Sequence, residues 1–298
     1  MVAGTRSHWS RWSGCQLGLP VLCRGRRHCG AAPMGDRTTS ADVLVIGDGM
    51  AGLAGALAMR GNGAKVTLVE RAPEFGEVGA GLQMAPSATR VLKRWGLLDQ
   101  ALEIGVRPKH LVFRDAISGE ELTRQTLGRE FEERYGAPYI VIHRSDLHRI
   151  LLDACAKAGV TLINYVMVNR VETVGRRGRA YAQNGDVYEA DVVLGADGLK
   201  PTLRPAVSDD GPVPSAFVAY RGTVPITEET PKGDLEDVVV YLGTNCHLVQ
   251  YPLRKGELLN TVVLTPTQNR ANSAAWVLVI VATLTIYGSC NNDVRDTN

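Results

Sequence analysis

"ADVLVIGDGMAGLAGALAMRGNGAKVTLVE", residues 41–70, decides the fold of this chain. It opens on a short apolar run ending in Gly47, the composition of a strand buried on both faces. "LAGALAMRGNG", 53–63, reads as a small-residue helix that stops at Gly61 or Gly63. "AKVTLVE", 64–70, rich in Val and Thr, reads as a second strand. Strand, helix and strand in this order make a compact βαβ unit.

Gly47, Gly49 and Gly52 stand between the first strand and the helix in G-x-G-x-x-G spacing. The first glycine permits the tight turn, the second lets the backbone approach a pyrophosphate, and the third lets the helix pack on the strand. Phosphates at such a turn face the free N–H groups and positive dipole of a helix N-terminus. Glu70 follows Gly52 by eighteen residues and ends the second strand, the place for a carboxylate accepting adenosine ribose hydroxyls. It also disfavours a 2′-phosphate there, since two negative groups would meet. Asp48 is the discordant residue, because a carboxylate beside a pyrophosphate repels it unless the side chain points outward.

A second glycine-flanked loop follows a second apolar strand much later, in "VVLGADGLKPTLR", 192–204. If both loops serve one ligand, the ligand is large and the chain returns to it. The first motif suits NAD and FAD equally. "EVGAGLQMAP", 77–86, adds Gly79 and Gly81, a loop that an NAD-binding fold does not ordinarily require and that an extended flavin dinucleotide would pass. Arg144 precedes a helix start and has two readings, a phosphate ligand or an ordinary surface arginine. Asp197 offers a carboxylate beside Gly198, which permits close approach.

Elsewhere, "PSATRVLKRWGLLD", 86–99, predicts a helix whose buried face is Ala88, Val91, Leu92 and Trp95. "RSDLHRILLDACAKAG", 144–159, predicts another, capped by Ser145 and buried along Leu147, Ile150, Leu151 and Ala154. Hairpin turns are expected at Ser118-Gly119 and Asn184-Gly185. "VVVYLG", "CHLVQYP" and "LLNTVVL" predict an antiparallel meander after Phe217.

With 298 residues the chain can bury a real core, and its net charge of +2 is too small to point to nucleic acid. Five arginines and no acid lie in residues 1–35; without them 28 basic residues face 31 acidic ones. That leader is either an organelle-targeting segment or a disordered extension. The six cysteines form no CxxC pair, which argues against zinc and for reduced thiols in a cytoplasmic compartment. "AAWVLVIVATLTIY", 274–287, is short of the roughly 20 residues of a membrane helix; no membrane association is expected.

Together, "VLVIGDGMAG", "VERAPEFGEVGAGLQMAPSATRVLKRWGLLD", "HRSDLHRILLDA", "DVVLGADGLKPTLR" and "AYRGTVP" resemble the single-component FAD-dependent aromatic hydroxylases. "PKHLVFRDAISGEELT", "EFEERYGAPYIVIHRSDLH" and "LEDVVVYLGTNCHLVQYPLRKGELLN" are most similar to the 3-hydroxybenzoate 6-hydroxylases among them. The resemblance runs from about Ala41 to Leu264. It implies an α/β fold, a Rossmann-like FAD-binding domain (41–110 and 140–210) with a mostly antiparallel β substrate region (111–139 and 211–266). Residues 1–40 are then a leader and 267–298 an atypical tail.

The resemblance further implies FAD as cofactor, NAD(P)H as reductant, and a small phenolic or benzoate-type substrate with O2, and it leaves a homodimer as one option for assembly. Gly47, Gly49, Gly52 and Glu70 would hold the ADP half, Arg71 and Gln83 would lie along the FAD, and Arg144 would reach the pyrophosphate region. Asp197 and Gly198 would form a loop shared by both cofactors. Tyr220 would face the aromatic substrate, against the alternative of a buried structural tyrosine. The family's downstream Gly-Asp and Ala-Ala-His-Pro motif has no counterpart here, so the substrate region is expected to be incomplete. The alternative function is a catalytically silent FAD- or nucleotide-binding fragment. A plain NAD-dependent dehydrogenase lacks a catalytic acid–base signature in this sequence.

Overall fold

Alternation along β1 (Thr38–Ile46) sets the layers of the protein. Val43 and Val45 point to one face of the sheet and Leu44 and Ile46 to the other, and all four are buried. A strand with apolar side chains on both faces belongs in the middle of a covered parallel sheet. The structure is a computed structural model that describes residues 37–76, 79–198, 203–211, 213–227 and 235–267. The sequence expectations for the leader to residue 36 and for the tail from residue 268 lie outside the described residues.

β1 pairs in parallel with β2 (Val66–Val69) and with β10 (Val187–Gly195). β7 (Thr161–Ile163) extends the parallel part beyond β2. β9 (Arg177–Ala182) and β8 (Val168–Val174) add antiparallel strands beyond β10, giving the order β7-β2-β1-β10-β9-β8. The expected start at Ala41 is three residues late, because Thr38–Ser40 already pair with Val187–Glu189.

On the Val43/Val45 face lie α1 (Met50–Gly61), α2 (Pro86–Arg94), α3 (Leu98–Ile104) and α5 (Arg144–Lys157). Small residues bring α1 close to the sheet: a β-carbon on Gly55 would come within 2.5 Å of Leu194 Cδ2.

Two helix expectations need correction. In α2 the buried residues are Pro86, Thr89 and Leu92, whereas Val91 is 40% exposed. Thr89 donates its hydroxyl to the Pro138 carbonyl at 2.7 Å, so a polar side chain occupies the inner face that apolar identity assigned to Val91. In α5 the cap is His143, one residue before the helix, and its Nδ1 accepts from the Ser145 N–H at 3.3 Å. The Ser145 hydroxyl lies 2.7 Å from the same nitrogen and orients the ring. Leu147, Ile150 and Leu151 are buried as the periodicity requires, joined by Asp146, His148 and Cys155.

Cys155 is fully buried, its Sγ 3.4 Å from the Leu53 carbonyl, and burial pushes its thiol up to about 11. A protonated, enclosed thiol is inert. In the native protein at about pH 8, Cys155 should therefore stay unalkylated by iodoacetamide and react fully in denaturant, as read by peptide mass spectrometry. Native labelling at the rate of a free thiol would contradict this burial.

The second sheet is built from β4 (His110–Asp115), β5 (Glu121–Thr126), β11 (Phe217–Pro225), β12 (Val238–Gly243), β13 (Cys246–Leu253) and β14 (Leu258–Pro266), in the order β11-β14-β13-β12-β4-β5. The meander and both hairpins form where the turn residues place them, with Gly119 and Gly185 at positive φ. β12 meets β4 in parallel, the one such join in this sheet among the described residues. β3 (Gly81–Met84) and β6 (Ile140–His143) form a two-stranded ribbon. α4 (Arg129–Tyr135), which the hydrophobic pattern does not reveal, has no buried residue and carries an Arg129–Glu133 ion pair at 2.7 Å.

Candidate functional site

The carboxyl ends of β1, β2 and β10 lie side by side and carry the two glycine-flanked loops. Gly47 N–H donates to the Val69 carbonyl at 2.9 Å, and Ala196 N–H donates to the Ile46 carbonyl at 2.7 Å. This is the edge of an open α/β sheet where ligands bind.

The three motif glycines are required for three different reasons. Gly47 has φ +105°, and a β-carbon there would overlap the Ala196 carbonyl and lie 2.8 Å from its carbon. The first loop is thus seated directly on the second. A β-carbon on Gly52 would overlap the Gly47 carbonyl oxygen, so this glycine lets α1 close on the turn. Gly49 is different. Its φ of −58° and ψ of 172° suit any residue, and its β-carbon would meet nothing within 4 Å. Nothing in the protein demands a glycine there, and the space in front of it is open.

α1 starts at that space with Gly49 as its N-cap, no side-chain cap and no acid in its first turn. Its first N–H groups are left for an anion. Glu70 accepts hydrogen bonds from Asp48 N–H at 3.0 Å and Ala72 N–H at 2.8 Å. A carboxylate has about four lone-pair sites, so two hydroxyl donors can still be received. The Asp48 carboxylate is turned inward: the residue is 8% exposed, and Oδ2 lies 3.4 Å from His148 Nε2. The side chain therefore does not point outward, as the sequence reading required for a turn that holds phosphate; it is drawn in toward the His148 ring, and its charge stays beside the turn. These features, an open cradle, uncapped N–H groups and a flanking carboxylate, fit the ADP half of a dinucleotide.

Asp197 is half-buried, and its Oδ2 accepts from Leu203 N–H at 3.2 Å. With Gly198 it lines a cleft of about 460 Å³ that also includes Ala51, Val193, Leu203 and Arg204. Arg144, half-buried at the head of α5, packs beneath Gly79: a β-carbon there would lie 2.7 Å from Arg144 Cδ. Arg71 is exposed next to Glu70. Gln83 is exposed on β3 and accepts the Tyr139 hydroxyl proton. Burial pushes Tyr139 up to about 12, which keeps it a donor at neutral pH. Tyr220 lies on edge strand β11 of the second sheet opposite Val263, and it is half-buried.

Three contacts that the sequence reading missed tie the second sheet to this site. Asn260, fully buried on β14, accepts from Gly81 N–H at 2.8 Å. The Tyr251 ring packs on Gly81, where a β-carbon would lie 2.5 Å from Cε2. Arg254 forms a bidentate pair with Asp146 at 2.9 and 3.0 Å. A signal existed for Asn260, the lone polar amide within "LLNTVVL". None existed for the others, whose partners are over a hundred residues away. Among the described residues, no three His, Cys, Asp or Glu side chains gather as a metal site, and no helix is long and apolar enough to cross a membrane.

Comparison with known proteins agrees with this geometry. Residues 40–283 match the FAD binding domain family, so the likeness extends past Leu264, where the sequence reading ended it. The chain is 36% identical over 231 residues to a 3-hydroxybenzoate 6-hydroxylase of Polaromonas naphthalenivorans (strain CJ2), covering 77% of this chain and 58% of that protein. It is 36% identical over 218 residues to a 3-amino-4-hydroxybenzoate 2-monooxygenase of Streptomyces cremeus, covering 73% and 55%. The chain therefore spans just over half the length of these curated relatives.

Among solved structures, Klebsiella pneumoniae HpxO complexed with FAD and uric acid superposes with a TM-score of 0.66 at 24% identity, over 76% of this chain and 56% of that one. A tetrameric 2-methyl-3-hydroxypyridine-5-carboxylic acid oxygenase gives 0.67 at 23%, over 85% and 67%. Those two likenesses concern the fold. On the match over 40–283, this chain belongs to the FAD binding domain family.

Proposed function

We propose that this protein is an FAD-dependent monooxygenase that hydroxylates a phenolic or benzoate-type aromatic ring, with NAD(P)H as reductant and O2 as oxidant. The observation that carries the reading is the open cradle at Gly49, where the uncapped, acid-free first turn of α1 is flanked by the Glu70 carboxylate. The 3-hydroxybenzoate 6-hydroxylase relatives make conversion of 3-hydroxybenzoate to gentisate the first reaction to test.

FAD, when bound, supplies the electron transfer and oxygen chemistry. The chain supplies position and charge. The N–H groups at the head of α1 would face the pyrophosphate, and Glu70 would receive ribose hydroxyls. Arg144 offers a fixed positive charge below the Gly79 loop. Arg71 and Gln83 would run along the cofactor, and Asp197 and Gly198 would border both it and the nicotinamide nucleotide. Tyr220 would orient the phenol ring.

The test is titration of the purified protein with FAD, followed by NADH oxidation with and without 3-hydroxybenzoate and chromatography of the product. The expected result is a stoichiometric flavin complex, oxidation stimulated by the aromatic acid, and gentisate. Retained FAD without stimulated oxidation would leave a binding protein only. Tyr220→Phe should reduce kcat/KM about tenfold or more, a loss of about 1.4 kcal/mol in transition-state stabilisation, with FAD affinity unchanged. An unaltered kcat/KM would remove Tyr220 from the site.

A further inference from the structure

Asp48 is a residue that a phosphate-binding turn should avoid, and the structure shows what is done with it. Its side chain and that of His148 are enclosed together, 11% and 4% exposed. His148 Nε2 lies 3.0 Å from the Asp48 carbonyl oxygen and 3.4 Å from Oδ2. The nearer oxygen takes the N–H, which fixes Nε2 as protonated. Oδ2 is then left buried without a hydrogen-bond donor. The Asp48 N–H is held on its other side by Glu70. The residue immediately before Gly49 is thus clamped at its N–H and its carbonyl, and its carboxylate is enclosed beside the His148 ring.

Turning inward does not neutralise the carboxylate. A pyrophosphate brings negative charge to Gly49, one residue away, and in a low-dielectric surround that repulsion is felt strongly. The pair has a remedy that an isolated aspartate lacks. With one more proton, Asp48 and His148 together are neutral; without it they carry one negative charge. An anion at Gly49 favours the protonated pair whichever atom holds the proton.

We propose that Asp48 and His148 form a proton-linked counter-charge beneath the phosphate turn, taking one proton from solvent when the pyrophosphate of a dinucleotide binds at Gly49. The inference rests on the dinucleotide reading of this site. Other charged groups surround the pair. Glu70 is engaged by Asp48 N–H and Ala72 N–H, Asp146 by Arg254, Arg144 heads α5, and Asp197 receives Leu203 N–H. Among these groups only the Asp48–His148 pair places a histidine against a buried carboxylate in the turn itself. His148 is on this reading a positioning residue, acting through Asp48.

The test is calorimetric titration of the whole chain with FAD in buffers of different ionisation enthalpy, between about pH 5 and 8, the range in which histidines titrate. Wild type should take up protons on binding, with affinity falling by up to about tenfold per pH unit once the free pair has lost its proton. Asp48→Asn keeps the shape and removes the charge; it should bind FAD with little proton uptake and a flat pH profile, and more tightly than wild type at the alkaline end. The wild-type uptake stands as a test without the variant. FAD binding with no proton uptake, or uptake equal in wild type and Asp48→Asn, overturns the proposal and leaves the cofactor reading standing. No FAD binding to the folded wild type at any pH overturns both.

Discussion

Gly49→Ala should lose FAD and keep the fold. Alanine is sterically free at this position, with φ −58° and no atom within 4 Å of its β-carbon. Its only internal penalty is a poorer N-cap for α1, about 0.5 kcal/mol. The new methyl stands in the space that a pyrophosphate would use, so FAD affinity should fall about a hundredfold, near 2.7 kcal/mol. Gly52→Ala is the opposite case. Its methyl would overlap the Gly47 carbonyl oxygen, and neither backbone can yield without separating α1 from β1. That substitution should destabilise the protein by about 3 kcal/mol, and FAD affinity should fall with it. Urea denaturation beside a flavin fluorescence titration distinguishes the two. A Gly49→Ala protein that binds FAD normally would remove the ligand from this cradle; a Gly52→Ala protein of normal stability would refute the close approach.

Arg254→Ala should unfasten the second sheet from the helix layer. Asp146 sits at the start of α5 with its side chain 9% exposed, and both its oxygens are taken by the Arg254 guanidinium. Removing the arginine leaves a buried carboxylate without its partner. Arg254 is itself 39% exposed and solvent screens it, so the expected loss is about 2 kcal/mol. The carboxylate also holds the Arg254 guanidinium above its ordinary pKa. Asp146→Asn should cost about 1 kcal/mol, because the amide keeps one acceptor, and Asp146→Asn with Arg254→Ala less than the sum of the two. Denaturation midpoints of the four proteins check this. Additive losses would show that the two residues do not interact.

Residues 41–70 made the first strand, the helix, the second strand and the phosphate turn legible, because a buried parallel strand and a glycine-spaced turn leave strong local patterns. The meander and both hairpins were legible for the same reason: Ser118-Gly119 and Asn184-Gly185 carry their own conformational preference. Helix faces were less so. Thr89 took the inner face of α2 because its hydroxyl found Pro138, and His143 displaced Ser145 as the α5 cap because its ring nitrogen accepts the Ser145 N–H. Polar groups that find a partner reverse an apolar count, and the partner is not a local property.

The sequence by itself determined the βαβ unit, the strand ends that carry the two glycine-flanked loops, and the glycines at Gly47 and Gly52, where the chain must turn or approach closely. Backbone conformation and burial periodicity are short-range, and a dozen residues are enough to express them. Tertiary structure alone decided that Gly47 rests on Ala196, that Asn260 holds Gly81, and that Asp48 is turned onto His148. Each of those depends on where distant segments arrive once strands pair and helices and sheets pack, and the free energy of a contact between residues 48 and 148 is not written into either one.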